Sequence, residues 1–128
     1  MSLKYSIKWS NLLTILQIML ELQAEEELRS LKESIPAQVG VIALNRKNGS
    51  LLLASGEFES NPSESALQIY GLFTDSLRIL AKADKAETNG LSDSLPADVL
   101  HRIVVSSPTH SIVISGNTHI VTAVKSPL

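Results

Sequence analysis

Apolar residues recur at steps of three and four from Trp9 to Ile35. Trp9, Leu13, Leu16, Leu20, Ala24, Leu28, Leu31 and Ile35 share one face of a predicted helix. Its two halves differ. Before Leu22 the segment is apolar nearly all round, which predicts burial on several sides. After Ala24 it is amphipathic, with Glu25, Glu26, Glu27, Arg29 and Lys32 on the wet side. Glu25 stands one turn ahead of Arg29, the favourable order for a helical ion pair. Pro36 biases Ile35 toward extended geometry and closes the helix.

Gln38–Asn45 and Ser50–Ser55 read as two strands joined by a turn, Arg46-Lys47-Asn48-Gly49, with Asn-Gly at its tip. Both strands are apolar at successive positions (Val41, Ile42, Ala43; Leu51, Leu52, Leu53). That predicts cover on both faces and a hairpin in the middle of a layered fold. Asn61-Pro62-Ser63-Glu64 carries helix-start chemistry: an Asn cap, Pro in the first turn and Glu three residues after the cap. The helix runs to about Ala83 on a stripe of Ala66, Tyr70, Phe73, Leu77 and Leu80. Residues 84–97 read as a long polar loop.

Three more strands follow: Asp98–Ser106, His110–Ser115 and Thr118–Val124. Gly116-Asn117 is the expected two-residue turn between the last two. Pairing Ser107 with His110, and Ser115 with Thr118, gathers Ile103, Val105, Ile112, Ile114 and Val121 on one face. Val104, Val113, Ile120 and Val124 fall on the other. The order is α-β-β-α-β-β-β. This is an α/β chain of the α+β kind, with five mostly antiparallel strands and helices on the sheet faces.

Composition narrows the function. The 128 residues carry 11 basic and 13 acidic side chains, for a net charge of −2. That argues against a nucleic-acid module with a basic face. With no cysteine, disulfide frameworks and thiol chemistry are excluded. Mean hydropathy is +0.15, apolar for a lone soluble chain, and the surplus calls for a partner's surface. The run Trp9–Leu22 is too short and too interrupted for a membrane span. Read as a secretory leader, it exits through Glu21-Leu22-Gln23-Ala24-Glu25, which lacks a small-x-small cleavage site.

His101, His110 and His119 are spaced by nine, and the expected registers turn all three to one face. The last two would lie about 13 Å apart along their hairpin, too far to share a metal. Glu57, Glu59 and Glu64 read as a solvated loop feeding the second helix. No phosphate loop, nucleophile elbow or acid–base constellation is present in the sequence. Neither an enzyme nor a cofactor is expected.

Ile35-Pro36-Ala37-Gln38-Val39-Gly40, the hairpin, and the exit Leu53-Ala54-Ser55-Gly56-Glu57 together resemble the roadblock-type subunits of the Ragulator complex. Leu100-His101-Arg102-Ile103-Val104-Val105 resembles the third strand of the same family. The likeness covers roughly residues 24–125. It divides the chain into a helical extension, 1–22, and a roadblock-like domain, 23–128. The small Ragulator pair lacks the C-terminal helix of most roadblock domains, and here the last predicted strand runs nearly to Leu128. The extension has no counterpart in the short relatives. It is expected either to cover a bare face or to be dispensable, with Met19 as the true start; the second is favoured because the stripe after Ala24 is complete without it.

The resemblance implies a non-enzymatic scaffold that pairs with another roadblock-type subunit through its second helix and third-strand edge. Tyr70, Phe73, Leu77, Leu100, Arg102 and Val104 would form that interface. It further implies a lipidated scaffold subunit and Rag-type GTPases as partners. The place is the cytoplasmic face of the lysosome, late endosome or vacuole, in amino-acid signalling to the target-of-rapamycin kinase complex. Contact with the membrane would be indirect. Two readings stand beside it: a dynein-associated roadblock chain, and a PAS- or GAF-like sensor with an apolar pocket lined by His101 or His119.

Overall fold

The structure, a computed structural model, describes residues 9–87 and 101–128. The long apolar stripe forms α1 (Trp9–Ser34). The Ile35 amide still donates to the Leu31 carbonyl before Pro36 diverts the chain. β1 (Gly40–Asn45) and β2 (Leu51–Gly56) make the first hairpin. A short 3₁₀ turn (Glu57–Glu59) seats Phe58 in the core ahead of α2 (Pro62–Glu87). β3 (His101–Ser106), β4 (His110–Gly116) and β5 (Ile120–Pro127) complete one sheet of order β2-β1-β5-β4-β3, every neighbouring pair antiparallel.

The two helices lie on opposite faces of this sheet, and strand alternation tells each residue which helix it meets. Ala24 and Leu28 of α1 pack on Val41, Ala43, Leu52, Ile120 and Val124. Ala66, Ile69 and Phe73 of α2 pack on Ile42, Leu44, Ile114, Val121 and Ala123. β1 is therefore covered on both faces, as its unbroken apolar run predicts. β2 differs from that expectation because it is an edge strand. Its three leucines are explained by a bulge: Ala43 pairs with Leu53 and Leu44 with Leu51, leaving Leu52 unpaired. Leu52 and Leu53 then both join the α1 side while Leu51 packs on the α2 side.

The β1–β2 turn is built by side chains. Asn45 Oδ1 accepts from the Lys47 amide and Asn48 Oδ1 from the Ser50 amide, each at 2.9 Å. Gly49, at φ 77°, lies under the Tyr70 ring. The Tyr70 hydroxyl reaches the Arg46 carbonyl at 2.9 Å, tying α2 to this turn.

Three sequence expectations are revised. The β4–β5 turn sits further along: Gly116 is a strand residue opposite Val121, and Asn117 pairs with Ile120 around Thr118-His119. Ser115 therefore faces Thr122 rather than Thr118. Asn117 closes this turn, its Oδ1 accepting from the amides of His119 and Ile120. α2 continues to Glu87, so the first four residues assigned to the 84–97 loop are helical; residues 88–97 lie outside the described residues. Finally, the apolar half of α1 is bare: Leu13, Ile15, Leu16, Ile18, Met19 and Leu22 are all exposed. Ala24 and later residues have sheet beneath them, whereas the preceding turns run past its end. No helix among the described residues is long and apolar enough to cross a membrane.

Candidate interaction surface

α1 lies over β1, β2 and β5, and α2 spans the other face, where all five strands contribute to its core. The α1 side of β3 and β4 is consequently open. Register places Val104 beside Val113 and Val124, and Arg102 beside Ser115 and Thr122, all on this side. Val124 is buried under α1, whereas Val104, two strands further out, keeps 57% of its surface exposed. Among the described residues β3 is also a sheet edge, where one row of its backbone donors and acceptors has no strand partner. An apolar side chain on an unpaired edge is a template for another chain's strand.

Five of the six expected interface residues divide between the two faces. Arg102 and Val104 come together on the open side of β3, both exposed. Tyr70, Phe73 and Leu77 belong to the α2 face. Phe73 is 1% exposed and Leu77 packs against the same core, so Phe73 holds this chain together and offers nothing to a partner. Tyr70 is half-buried and its hydroxyl is spent on the β1–β2 turn. Leu100 lies outside the described residues. The apolar residues that α2 does expose are Leu67, Leu72, Ile79 and Leu80. Leu72 and Ile79 are seven apart and share one row, about half a turn round the helix from Tyr70 and so away from the β1–β2 turn. The sequence pattern places Leu80 in the helix stripe and Leu67 and Ile79 at its margins, and leaves only Leu72 outside it. The signal for Leu72 was the second apolar row beside that stripe.

A second feature lies where α1 leaves the sheet. Glu27 and Asn117 pin the helix to the β4–β5 turn, with Asn117 Nδ2 donating to Glu27 Oε1 at 2.7 Å. Burial pushes the Glu27 carboxyl above its ordinary value, Asn117 opposes the rise, and Glu26 adds to it. Next door, Arg46 donates from Nη1 to the Asn117 carbonyl and sets its guanidinium 5.2 Å from the Phe73 ring centroid. The two hairpin tips are thus locked to each other and to both helices.

The histidines do not converge. His110 follows the register of Ile112 onto the α2 face, while His119 sits in the β4–β5 turn against α1. This corrects the expectation of one shared face. The side chain of His101 lies outside the described residues. No metal-capable group of three side chains occurs among the described residues. His119 does border a cavity of about 400 Å³ with Leu16, Met19, Leu20 and Gln23. None of those residues belongs to a strand, so the cavity opens on the flank of α1 and is no chamber between helix and sheet.

No family model matches this chain, and no curated protein matches it. Solved structures do. Myxococcus xanthus MglB aligns at 12% identity with a TM-score of 0.50, covering 77% of this chain and 70% of that one. A structure described as MglB with tetrameric arrangement aligns at 14% identity with a TM-score of 0.47, covering 80% of this chain and 71% of that one. At such identities the likeness is one of fold. Together with the element order, the antiparallel sheet and the helix on each face, it assigns this chain a roadblock-type fold.

Proposed function

We propose that this chain is a non-enzymatic scaffold subunit of a Ragulator-like complex. By sequence motif it resembles the small subunit called late endosomal/lysosomal adaptor and MAPK and MTOR activator, fourth member. In this reading it pairs with a second roadblock-type subunit and is held on the lysosomal or vacuolar surface by a lipidated scaffold subunit. There it docks Rag-type GTPases for amino-acid signalling to the target-of-rapamycin kinase complex.

The observation that carries the reading is the β3 edge. Among the described residues it combines a strand with no neighbour on one side and an exposed Val104 on a sheet face that α1 leaves open. A partner's strand laid along β3 would continue the sheet, and Val104 would be buried by it. The apolar row of Leu72 and Ile79 on α2 supplies further surface for the same contact. The roadblock-type fold supports a GTPase-associated scaffold in general. The Ile-Pro-x-Gln entry and Gly-Glu exit motifs support the Ragulator assignment within it.

Affinity purification of the tagged full chain from its own cells, followed by mass spectrometry, tests this. A roadblock-type subunit in near-equal amount, accompanied by a lipidated scaffold and Rag-type GTPases, is expected. Recovery of dynein intermediate chains instead would move the chain to the dynein-associated class, and recovery of no partner would overturn the scaffold reading.

A further inference from the structure

The apolar overhang of α1 is organised. Thr14, Gln17 and Glu21 follow one another at steps of three and four and form a single polar line, with Gln17 Nε2 donating to Glu21 Oε1 at 3.3 Å. Continued at the same steps, that line becomes Ala24, Leu28, Leu31 and Ile35, the row that packs on the sheet. This row is polar N-terminal to Ala24, while Leu20 beside it still packs against the α1-side core. The remaining circumference carries Leu13, Ile15, Leu16, Ile18, Met19 and Leu22. An arc of roughly 200° of exposed apolar surface is wider than one flat contact uses.

Concave surface lies at the root of this overhang. Three cavities adjoin through Leu20. One lies between Leu16, Met19, Leu20, Gln23 and His119. A second, of about 510 Å³, lies between Leu13, Leu16, Gln17, Leu20 and the β1–β2 turn at Asn45, Lys47 and Asn48. A third, of about 430 Å³, joins Leu20 to Arg46, Lys47 and His119 between the two turns. One wall of the resulting trough is the apolar helix. The other is built from hairpin tips that bear Arg46, Lys47 and His119, and no carboxylate lines any of the three cavities.

From this we infer that the trough beside the α1 overhang is a second docking surface, and that its occupant is an amphipathic helix of a partner protein with an apolar stripe and acidic flanks. The stripe would lie on Leu13, Leu16 and Met19, and the acidic flank on Lys47 and Arg46. A second copy fits less well, since its own overhang brings Glu21 as its one acid among residues 9–22. A bilayer surface fits less well too, because interfacial helices carry basic polar faces and the polar line here ends in Glu21. The surface is separate from the β3 edge. Residues 1–18 can then be dispensable for roadblock pairing and still be required for this contact.

The test uses the purified full chain and Trp9, its single tryptophan, at the start of α1. Two synthetic helical peptides serve as probes, each with leucines at i, i+3, i+4 and i+7. One is flanked by glutamates, the other by lysines. Titration monitored by Trp9 emission should show the acidic peptide binding at least about tenfold tighter than the basic one. Lys47→Glu should reverse that preference, and Leu16→Glu should abolish binding of both. Both substituted residues are exposed, and unchanged circular dichroism and melting confirm that each variant is folded. Equal binding of the two peptides, or binding of neither, overturns the proposal. So does self-association that Leu16→Glu abolishes, which assigns the face to a second copy. Binding to phosphatidylcholine–phosphatidylserine vesicles in preference to the acidic peptide likewise overturns it and assigns the face to a membrane. A failure here leaves β3 pairing untouched, because co-purification reads that contact separately.

Discussion

Gly116 lies directly against the ring of Phe73: a Cβ built on the glycine would stand 2.2 Å from Phe73 Cζ. The β4 backbone can approach α2 this closely only because position 116 has no side chain. Gly116→Ala must push the ring or the strand aside, and overpacking of this kind costs about 1–3 kcal/mol. Thermal or urea unfolding should show that loss. Pairing it with Phe73→Leu should recover part of it, since the shorter side chain vacates the ring's far end. Simple additivity of the two substitutions would contradict the contact.

Two other glycines should respond in opposite directions. Gly49 combines a φ of 77° with a Tyr70 ring atom only 2.5 Å from the place of a Cβ. Gly49→Ala is expected to destabilise by more than the ~1–2 kcal/mol of a left-handed alanine alone. Gly71, inside α2, has nothing within 4 Å of its Cβ position. Gly71→Ala should stabilise the chain by up to about 1 kcal/mol through helix propensity. Chemical denaturation of both variants checks the pair.

The raised pKa of Glu27 makes one pH prediction. Below the ordinary value of 4.5 the carboxyl is protonated in folded and unfolded chains alike. As pH rises past 4.5 the unfolded chain ionises first, so stability falls until the folded pKa is also passed. Glu27→Gln keeps an acceptor for the Asn117 amide and has no proton to lose. It should melt higher than wild type at neutral pH, and the gap should close as pH drops below 4.5. A gap that persists or widens in acid would show that burial does not dominate at this carboxyl.

Ile103 and Val104 are adjacent in β3 and point to opposite sides, which separates folding from pairing. Ile103 packs against the core under α2. Ile103→Asp should lower stability by about 1–3 kcal/mol, since it sets a carboxylate in a half-buried apolar site. Val104 is exposed, so Val104→Asp should leave the isolated chain's melting nearly unchanged and weaken partner binding by tenfold or more. Calorimetry on the chain and a binding titration with the purified partner separate the two effects.

Much of this was legible in the sequence because strand faces depend only on parity. The β4–β5 pairing expected from a Gly116-Asn117 turn differs from the observed one by four positions along the partner strand, an even number. Ile112, Ile114 and Val121 therefore reach the α2 face under either register. The turn itself was misplaced because Gly116 answers to Phe73, more than forty residues away, and local turn chemistry cannot report so distant a contact. Half of the expected interface set, Tyr70, Phe73 and Leu77, lies on the α2 stripe, and a stripe of Ala66, Phe73 and Leu77 is also the signature of the chain's own core. Leu72 and Ile79, on a neighbouring row, are left exposed. The polar line of Thr14, Gln17 and Glu21 is readable at helical spacing. That the overhang has no sheet beneath it depends on where β1 and β5 end, which the helix pattern does not contain.

Native mass spectrometry of the tagged full chain, wild type and Val104→Asp, purified under identical gentle conditions, tests the central claim most directly. The account predicts wild type in equimolar association with a second roadblock-type subunit, and the variant recovered folded without it. A wild-type chain that is a stable monomer, or a variant that retains the same partner in the same ratio, would contradict pairing through the β3 edge.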